Sequence, residues 1–242
     1  MTTPDPTVSE AALELLRHVS TATLTTQLFK RGLRNVFLQG VAPLVKPPAG
    51  TPNLVGPAFT LRNIPAREDL DHVGIFQNPD HPQRKAVESA PPGSVLVQDC
   101  RRETATASVG SILALRLKMR GVAGMVSDGP VRDSATISDL GLPLWCAGAA
   151  PTLNLAKHHA VDMNVPIACG GVPVYPGDIV VADADGVVIV PKEMAEDVAR
   201  DATEQERLEA FITERIAEGR PLRGTYPPSE ETLAAYAEWC KK

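Results

Sequence analysis

Between Ser94 and Gly148 short apolar runs alternate with helix-length segments, and this alternation leaves few folds open to the chain. SVLVQD (94–99), bounded by Pro91, Pro92 and Gly93, reads as a buried strand. Ser108 to Arg120 reads as a helix whose Ile112, Leu115 and Met119 are spaced for one buried face. VAGMVSD (122–128) is a second strand, followed by the loop GPVRDS, a short helix over Ala135 to Leu140, and strands PLWCAG (143–148) and PIACGG (166–171). Such alternation predicts βαβ units and a mostly parallel α/β sheet covered on both faces. DIVVADADGVVIVP (178–191) differs: two β-branched runs joined by Asp-Ala-Asp-Gly predict a hairpin near the C-terminus.

The flanks are helical. Residues 8–19 carry one apolar stripe with Ser9 as N-cap, and a second helix follows Ser20 and stops at Gly32, giving N-terminal helices over about 8–32. Five prolines between Gly40 and Pro57 predict an extended connection, and VGPAFTLR (55–62) alternates like a strand. The polar stretch 65–92 reads as a surface excursion with a short helix near Arg84 to Ser89. A long charged helix from Lys192 to about Gly219, a Pro-rich tail and a final short helix form a C-terminal helical tail over about 192–242. With no repeat and no linker, residues 1–242 are expected to form a single domain.

Charge narrows the partners. Lys and Arg number 24 against 29 Asp and Glu, a net charge of −5 without a basic block, so no nucleic acid partner is expected. MTTPDPT lacks the basic start and apolar run of a leader, and no stretch reaches the roughly 18 apolar residues of a span, so no membrane association is expected. Cys100, Cys146, Cys169 and Cys240 lie far apart and read as reduced thiols in a cytoplasmic protein.

In an open parallel sheet, ligands bind beyond the carboxyl ends of the strands, near helix N-termini. Two such ends are close in sequence here. After strand 94–99, Gly110 and Ser111 permit close backbone approach, and the amides of Ser111, Ile112 and Leu113 could hold a carboxylate. After strand 122–128, Arg132 offers a permanently charged fork for a carboxylate or a developing oxyanion, and Asp133 offers oxygen to a hard cation such as Mg²⁺. The three together suit a 2-oxo acid; the alternative is an Arg–Asp pair that only ties down a loop. His158 and His159 fall on a probable helix about 100° apart, unable to share a metal. His72 and His81 read as part of a solvated excursion, the alternative being that they line the substrate pocket and set specificity; Cys100 has no histidine partner in view, and Asp183 and Asp185 shape the hairpin turn. No Gly-rich nucleotide motif occurs, which argues against a nucleotide cofactor.

The stretch GSILALRLKMRGVAGMVSDGPVRD (110–133) resembles the family uniting RraA-like proteins with the class II 4-hydroxy-4-methyl-2-oxoglutarate aldolases. STATLTTQL (20–28), GPAFT (56–60), VLVQD (95–99) and VYPGDIVVADADGVVIVP (174–191) follow in the family's order. The resemblance implies a three-layer swivelling α/β/α domain, assembled as a homotrimer or dimer of trimers with sites at subunit interfaces. It implies a lyase dependent on Mg²⁺ or Mn²⁺ that cleaves a C–C bond of a 2-oxo acid through a pyruvate enolate, as an aldolase or an oxaloacetate decarboxylase. Asp133 then takes the metal-ligand position, Arg132 the substrate- and enolate-binding position, and the amides after Gly110 the carboxylate loop. Two acids of the aldolase pattern are replaced, by Ser111 and Thr136. Asp99, Glu103 and Asp128, or one of Glu204, Glu206 and Glu214 from a neighbouring subunit's C-terminal helix, are the candidate acids to compensate. The family also implies two other readings: a non-catalytic regulator that binds a ribonuclease, and a dehydratase or hydratase acting on a sugar-derived oxo acid.

Overall fold

The computed structural model describes residues 8–241; the leader reading of residues 1–7 lies outside them. Ser9 and Ser20 cap α1 (Glu10–Leu16) and α2 (Thr21–Lys30), each hydroxyl accepting the amide three residues on. After β1 (Ala42–Pro43) comes β2 (Leu54–Pro65), a twelve-residue strand and longer than its alternation suggests. Then follow α3 (Pro82–Ser89), β3 (Val95–Asp99), α4 (Ser111–Met119), β4 (Gly124–Ser127), α5 (Ser134–Leu140) and β5 (Leu144–Cys146). The remainder is β6 (His158–Met163), β7 (Ile167–Cys169), β8 (Val172–Val174), β9 (Ile179–Ala182), β10 (Val187–Val190), α6 (Ala195–Ala217) and α7 (Glu230–Trp239).

The sheet runs β1-β5-β4-β3-β2-β9-β10, with β6 also on β2. Its centre, β2 through β5, is parallel, and its margins are antiparallel. The predicted hairpin is present as β9–β10. Every residue of β3, β4, β9 and β10 is buried. Strands covered on both faces lose the apolar–polar alternation of half-exposed ones and read as continuous apolar runs. Val95 and Val97 pack with Val126, Trp145, Val180 and Ile189 on one face, against Ile167, Cys169 and Val174 of the small β7–β8 ribbon. Leu96 and Met125 point the other way, against α3, α4 and α5, while Val181 and Val188 on that side meet α1, α2 and α6. The three layers are therefore helices, sheet and ribbon: the second face is closed by a β layer where a helical one was expected. The run 166–174 is too short and too strongly turned at Gly170 and Gly171, both at positive φ, to form a helix.

Two local expectations are corrected. His158 and His159 lie on a strand: a 3₁₀ turn over Asn154–Ala156 ends at Lys157, and β6 then pairs antiparallel with β2. Successive strand residues face opposite sides, so His158 is buried and His159 half-buried, and they still cannot share a metal. The helix read from Ser108 begins only at Ser111, because residues 107–109 are held extended by backbone bonds to Thr152, Pro130 and Arg132. Its buried face is Ala114 and Leu117; Ile112, Leu115 and Met119 are 82%, 45% and 71% exposed. α4 is apolar almost all round, so its periodicity offers two stripes, and the sheet takes the one where the small Ala114 permits close approach. Among the described residues no helix is long and apolar enough to cross a membrane.

Candidate functional site

The segments that follow β3 and β4 line a cleft of about 260 Å³ with Gly110, Ser111, Ile112, Leu113, Arg132 and Asp133. Backbone bonds place them there: Ser108 N donates to Pro130 O (2.7 Å), Arg132 N to Val109 O (3.0 Å) and Val131 N to Gly148 O (2.9 Å). The loop after β4 is thus stitched to the segment that starts α4. Gly110 keeps the packing here close: a Cβ there would lie 3.1 Å from both Arg132 Cγ and Asp133 Oδ2, so either side chain would have to give by a few tenths of an ångström.

Asp133 is the unusual residue. It is the N-cap of α5, where an aspartate ordinarily accepts a helix amide. Instead it sits in the left-handed region (φ 57°, ψ 37°) with no capping bond to its own helix. Its Oδ2 accepts from Ser111 N (3.1 Å) and Ser111 Oγ (3.0 Å), and Oδ1 lies 3.7 Å from Arg132 Nε. Left-handed backbone at a non-glycine residue costs about 1–3 kcal/mol and collects at functional sites. The Ser111 amide, then its hydroxyl, then the Arg132 charge hold the Asp133 carboxyl below the ordinary aspartate value, so it is ionised at neutral pH. The Ser111 amide is thereby taken, and Gly110 contributes no side-chain cap to α4. The amides of Ile112 and Leu113, at the second and third positions of the helix, remain for an anion.

Arg132 and Asp133 are about equally accessible, their side chains 40% and 38% exposed. Mg²⁺ and Mn²⁺ favour oxygen ligands, and Mg²⁺ is commonly held by one or two carboxylates with water and substrate completing the shell. One ionised carboxylate beside a hydroxyl fits that mode. It does not form an all-protein cage, and among the described residues no group of three or more His, Cys, Asp or Glu is placed to hold a metal ion.

The acids considered as replacements for the missing pair serve other ends. Asp128 is buried and accepts from the backbone amides of Cys100 (2.5 Å), Gly170 (3.0 Å) and Arg102 (3.2 Å); burial pushes its carboxyl up against them. Asp99 accepts from Arg101 N and Glu103 from Ala105 N. On the C-terminal helices Glu206 bonds Ser20, Glu204 bonds Tyr236 and Glu214 bonds Trp239 within the chain. Thr136 is exposed. Burial pushes the Cys100 thiol up to about 12, which excludes a ready nucleophile. Asp183 accepts from Thr21, Asp185 and Gly186, shaping its turn and joining it to α2.

The 65–92 excursion is more than solvated surface. It supplies Phe76, Gln83 and Arg84 to the cleft, with Leu153 and Asn154 from the turn before β6. Gln83 Nε2 donates to Ser108 O (2.8 Å), pinning α3 to the segment before Gly110. His81 is buried edge-on to Phe76 (5.4 Å), and His159 pairs with Asp71 (2.7 Å). The alternative that this excursion lines the pocket holds for the segment, but through Phe76, Gln83 and Arg84, with neither His72 nor His81 in the lining; the place of these residues beside Gly110 is a tertiary fact.

Known proteins share this sequence pattern and this fold. The family described as "RraA-like: Aldolase/RraA" matches residues 14–189. The chain is 34% identical over 170 residues to a Halalkalibacterium halodurans protein named "Putative 4-hydroxy-4-methyl-2-oxoglutarate aldolase", covering 70% of this chain and 74% of that one. Streptomyces coelicolor RraAS2, described as an unusual member of the RNase ES inhibitor RraA protein family, superposes with TM-score 0.75 at 32% identity, over 90% of this chain and all of that one. A Pseudomonas syringae pv. tomato protein superposes with TM-score 0.76 at 26% identity, over 92% of this chain and all of that one.

Proposed function

The chain belongs to the RraA-like family, and from that premise we propose that its cleft binds a 2-oxo acid and cleaves the C–C bond β to the carbonyl, releasing pyruvate. The observation that carries this reading is the meeting, in one cleft, of Arg132 and Asp133 with the remaining amides of Ile112 and Leu113 at the start of α4. The relative named as an aldolase supports it.

The substrate carboxylate meets the amides of Ile112 and Leu113. Arg132 faces the keto oxygen and donates to it as the bond breaks, an interaction that strengthens as charge grows there and so favours the transition state over the ground state. In the retro-aldol direction the C4 hydroxyl loses its proton, the C3–C4 electrons pass to the enolate, and C3 takes a proton to give pyruvate and a carbonyl product. For oxaloacetate the departing fragment is CO₂. Among the described residues Asp133 is the one acid lining the cleft, so a water hydrogen-bonded to its carboxylate takes the hydroxyl proton and returns one to C3. Phe76, Val109 and Leu153 form an apolar wall that raises the value of each charge inside. Mg²⁺ or Mn²⁺ held at Asp133 supplies Lewis-acid polarisation of the keto oxygen.

We also infer that the working form is a homotrimer or dimer of trimers. Ile112 lines the cleft yet is 82% exposed, and Leu115 and Met119 continue the same apolar stripe, as a face that a second copy covers. The free cysteines, Cys100, Cys146 and Cys169 buried and Cys240 half-buried, fit a reducing compartment, and we assign the chain to the cytoplasm. A second functional reading rests on Ser111 and Thr136, which stand where aldolases carry acids, and on the likeness to RraAS2: a regulator that binds a ribonuclease.

Coupled pyruvate release from oxaloacetate and 4-hydroxy-2-oxo acids, with and without Mg²⁺ or Mn²⁺, separates them. Pyruvate that appears with metal and disappears on chelation supports the lyase. Silence on every substrate, with inhibition of an RNA-degrading endonuclease, supports the regulator and removes the lyase.

A further inference from the structure

A second guanidinium lines the cleft. Arg84, on α3, lies with its charged end 4.4 Å from the centre of the Phe76 ring, half-buried. Among the described residues it has no hydrogen-bond acceptor and no carboxylate partner. Burial draws its proton affinity down, and nothing within the chain opposes this. A half-desolvated cation left unpaired is expensive in a folded protein. Here it is also held in place: Phe76 stacks beneath it, and Gln83, its neighbour, is tied to Ser108 O. The cleft lining thus carries two guanidinium groups and one carboxylate. A single-carboxylate ligand bound at Arg132 and the α4 amides leaves the second cation unanswered. The cleft volume, about 260 Å³, falls just below the roughly 300–1,000 Å³ of drug-sized sites and suits a small acid.

We propose that Arg84 is a specificity-determining residue that receives a second carboxylate, the one remote from the keto group, and so directs the cleft to 2-oxo diacids. The inference rests on reading the cleft as a 2-oxo acid site. It also ranks the two lyase chemistries. In oxaloacetate the second carboxylate is the group that leaves as CO₂, and a guanidinium on it stabilises the ground state more than the transition state. In a 4-hydroxy-2-oxo diacid the second carboxylate survives on the carbonyl product, and Arg84 can hold it throughout. Aldol cleavage is the chemistry Arg84 favours.

The test compares 4-hydroxy-2-oxoglutarate with 4-hydroxy-2-oxopentanoate, which share the scissile bond and differ in a carboxylate against a methyl. The wild type is expected to prefer the diacid in kcat/KM. Arg84→Met, which keeps an apolar stem over Phe76, should lower the diacid-to-monoacid ratio about a hundredfold, chiefly through KM. Arg84→Lys should keep most of the preference, separating lost charge from lost packing. A ratio unchanged in Arg84→Met overturns the assignment while pyruvate release stands. Calorimetric binding of 2-oxoglutarate against 2-oxopentanoate gives a readout without turnover. If no pyruvate forms but 2-oxoglutarate binds more tightly to wild type and not to Arg84→Met, Arg84 stands and the lyase reading falls. Equal affinity of both acids for both proteins, without pyruvate, overturns both.

Discussion

Ser111 and Asp133, 22 residues apart in the chain, meet through two hydrogen bonds, from the Ser111 amide at 3.1 Å and its hydroxyl at 3.0 Å, both to Asp133 Oδ2. The pair joins the start of α4 to the loop after β4, and it keeps the Asp133 carboxyl ionised below the usual range. Ser111→Ala removes one of the two bonds. The acid limb of the pH–activity profile should then move up toward the ordinary aspartate value, because the folded-state depression shrinks. Ser111→Asp puts a second carboxylate beside the first and should tighten Mn²⁺ binding about tenfold. A titration followed by electron paramagnetic resonance reads this directly, and unchanged Mn²⁺ affinity in both variants would remove Asp133 as the cation's seat.

Arg132 is expected to matter to rate far more than to fold. Its side chain is 40% exposed and its neighbours are set by backbone bonds. Arg132→Ala should lower kcat by about 10²–10³, the usual cost of losing a transition-state donor, with the thermal midpoint little changed. Arg132→Lys should not restore the rate, since an ammonium lacks the planar fork. A kcat within a few fold of wild type for Arg132→Ala would contradict the role given to it.

On α4 the two apolar stripes should respond in opposite ways. Leu117→Ala empties a fully buried position and should cost about 2–5 kcal/mol in urea unfolding. Met119→Ala, on the exposed stripe, should change stability by no more than about 0.5 kcal/mol in the protomer. Met119→Lys should instead lower the sedimentation coefficient if a second copy covers that face. Equal unfolding costs for Leu117→Ala and Met119→Ala would mean the helix is turned otherwise than described.

Acidification should destabilise the fold before the carboxylates titrate. Burial holds His158 below the ordinary histidine value, with Arg101 adding; burial does the same to His81, followed by Arg84 and His159. The folded state therefore binds fewer protons than the unfolded one once pH falls below about 6.5. Stability is full above that pH and declines as pH falls from it through the lower folded-state values. The urea midpoint should drop between pH 7.5 and 5.5, and His158→Gln should flatten the drop. A midpoint independent of pH in that range would mean neither ring is held neutral.

The sequence by itself determined the β–α alternation, the hairpin at 178–191, the serine caps of α1 and α2, and the nearness of Gly110, Ser111, Arg132 and Asp133 to two strand ends. Each of these is local: periodicity, turn chemistry and capping are decided within a few residues, and the ends of adjacent parallel strands lie on one edge of the sheet. What only the tertiary structure decided depends on which surfaces meet. The turn from Lys157 into β6 is set by pairing with β2, and the buried face of α4 by the layer beneath it. The left-handed Asp133 and the unpaired Arg84 have no local signature, because both arise where α3, the start of α4 and the loop after β4 close around one cleft.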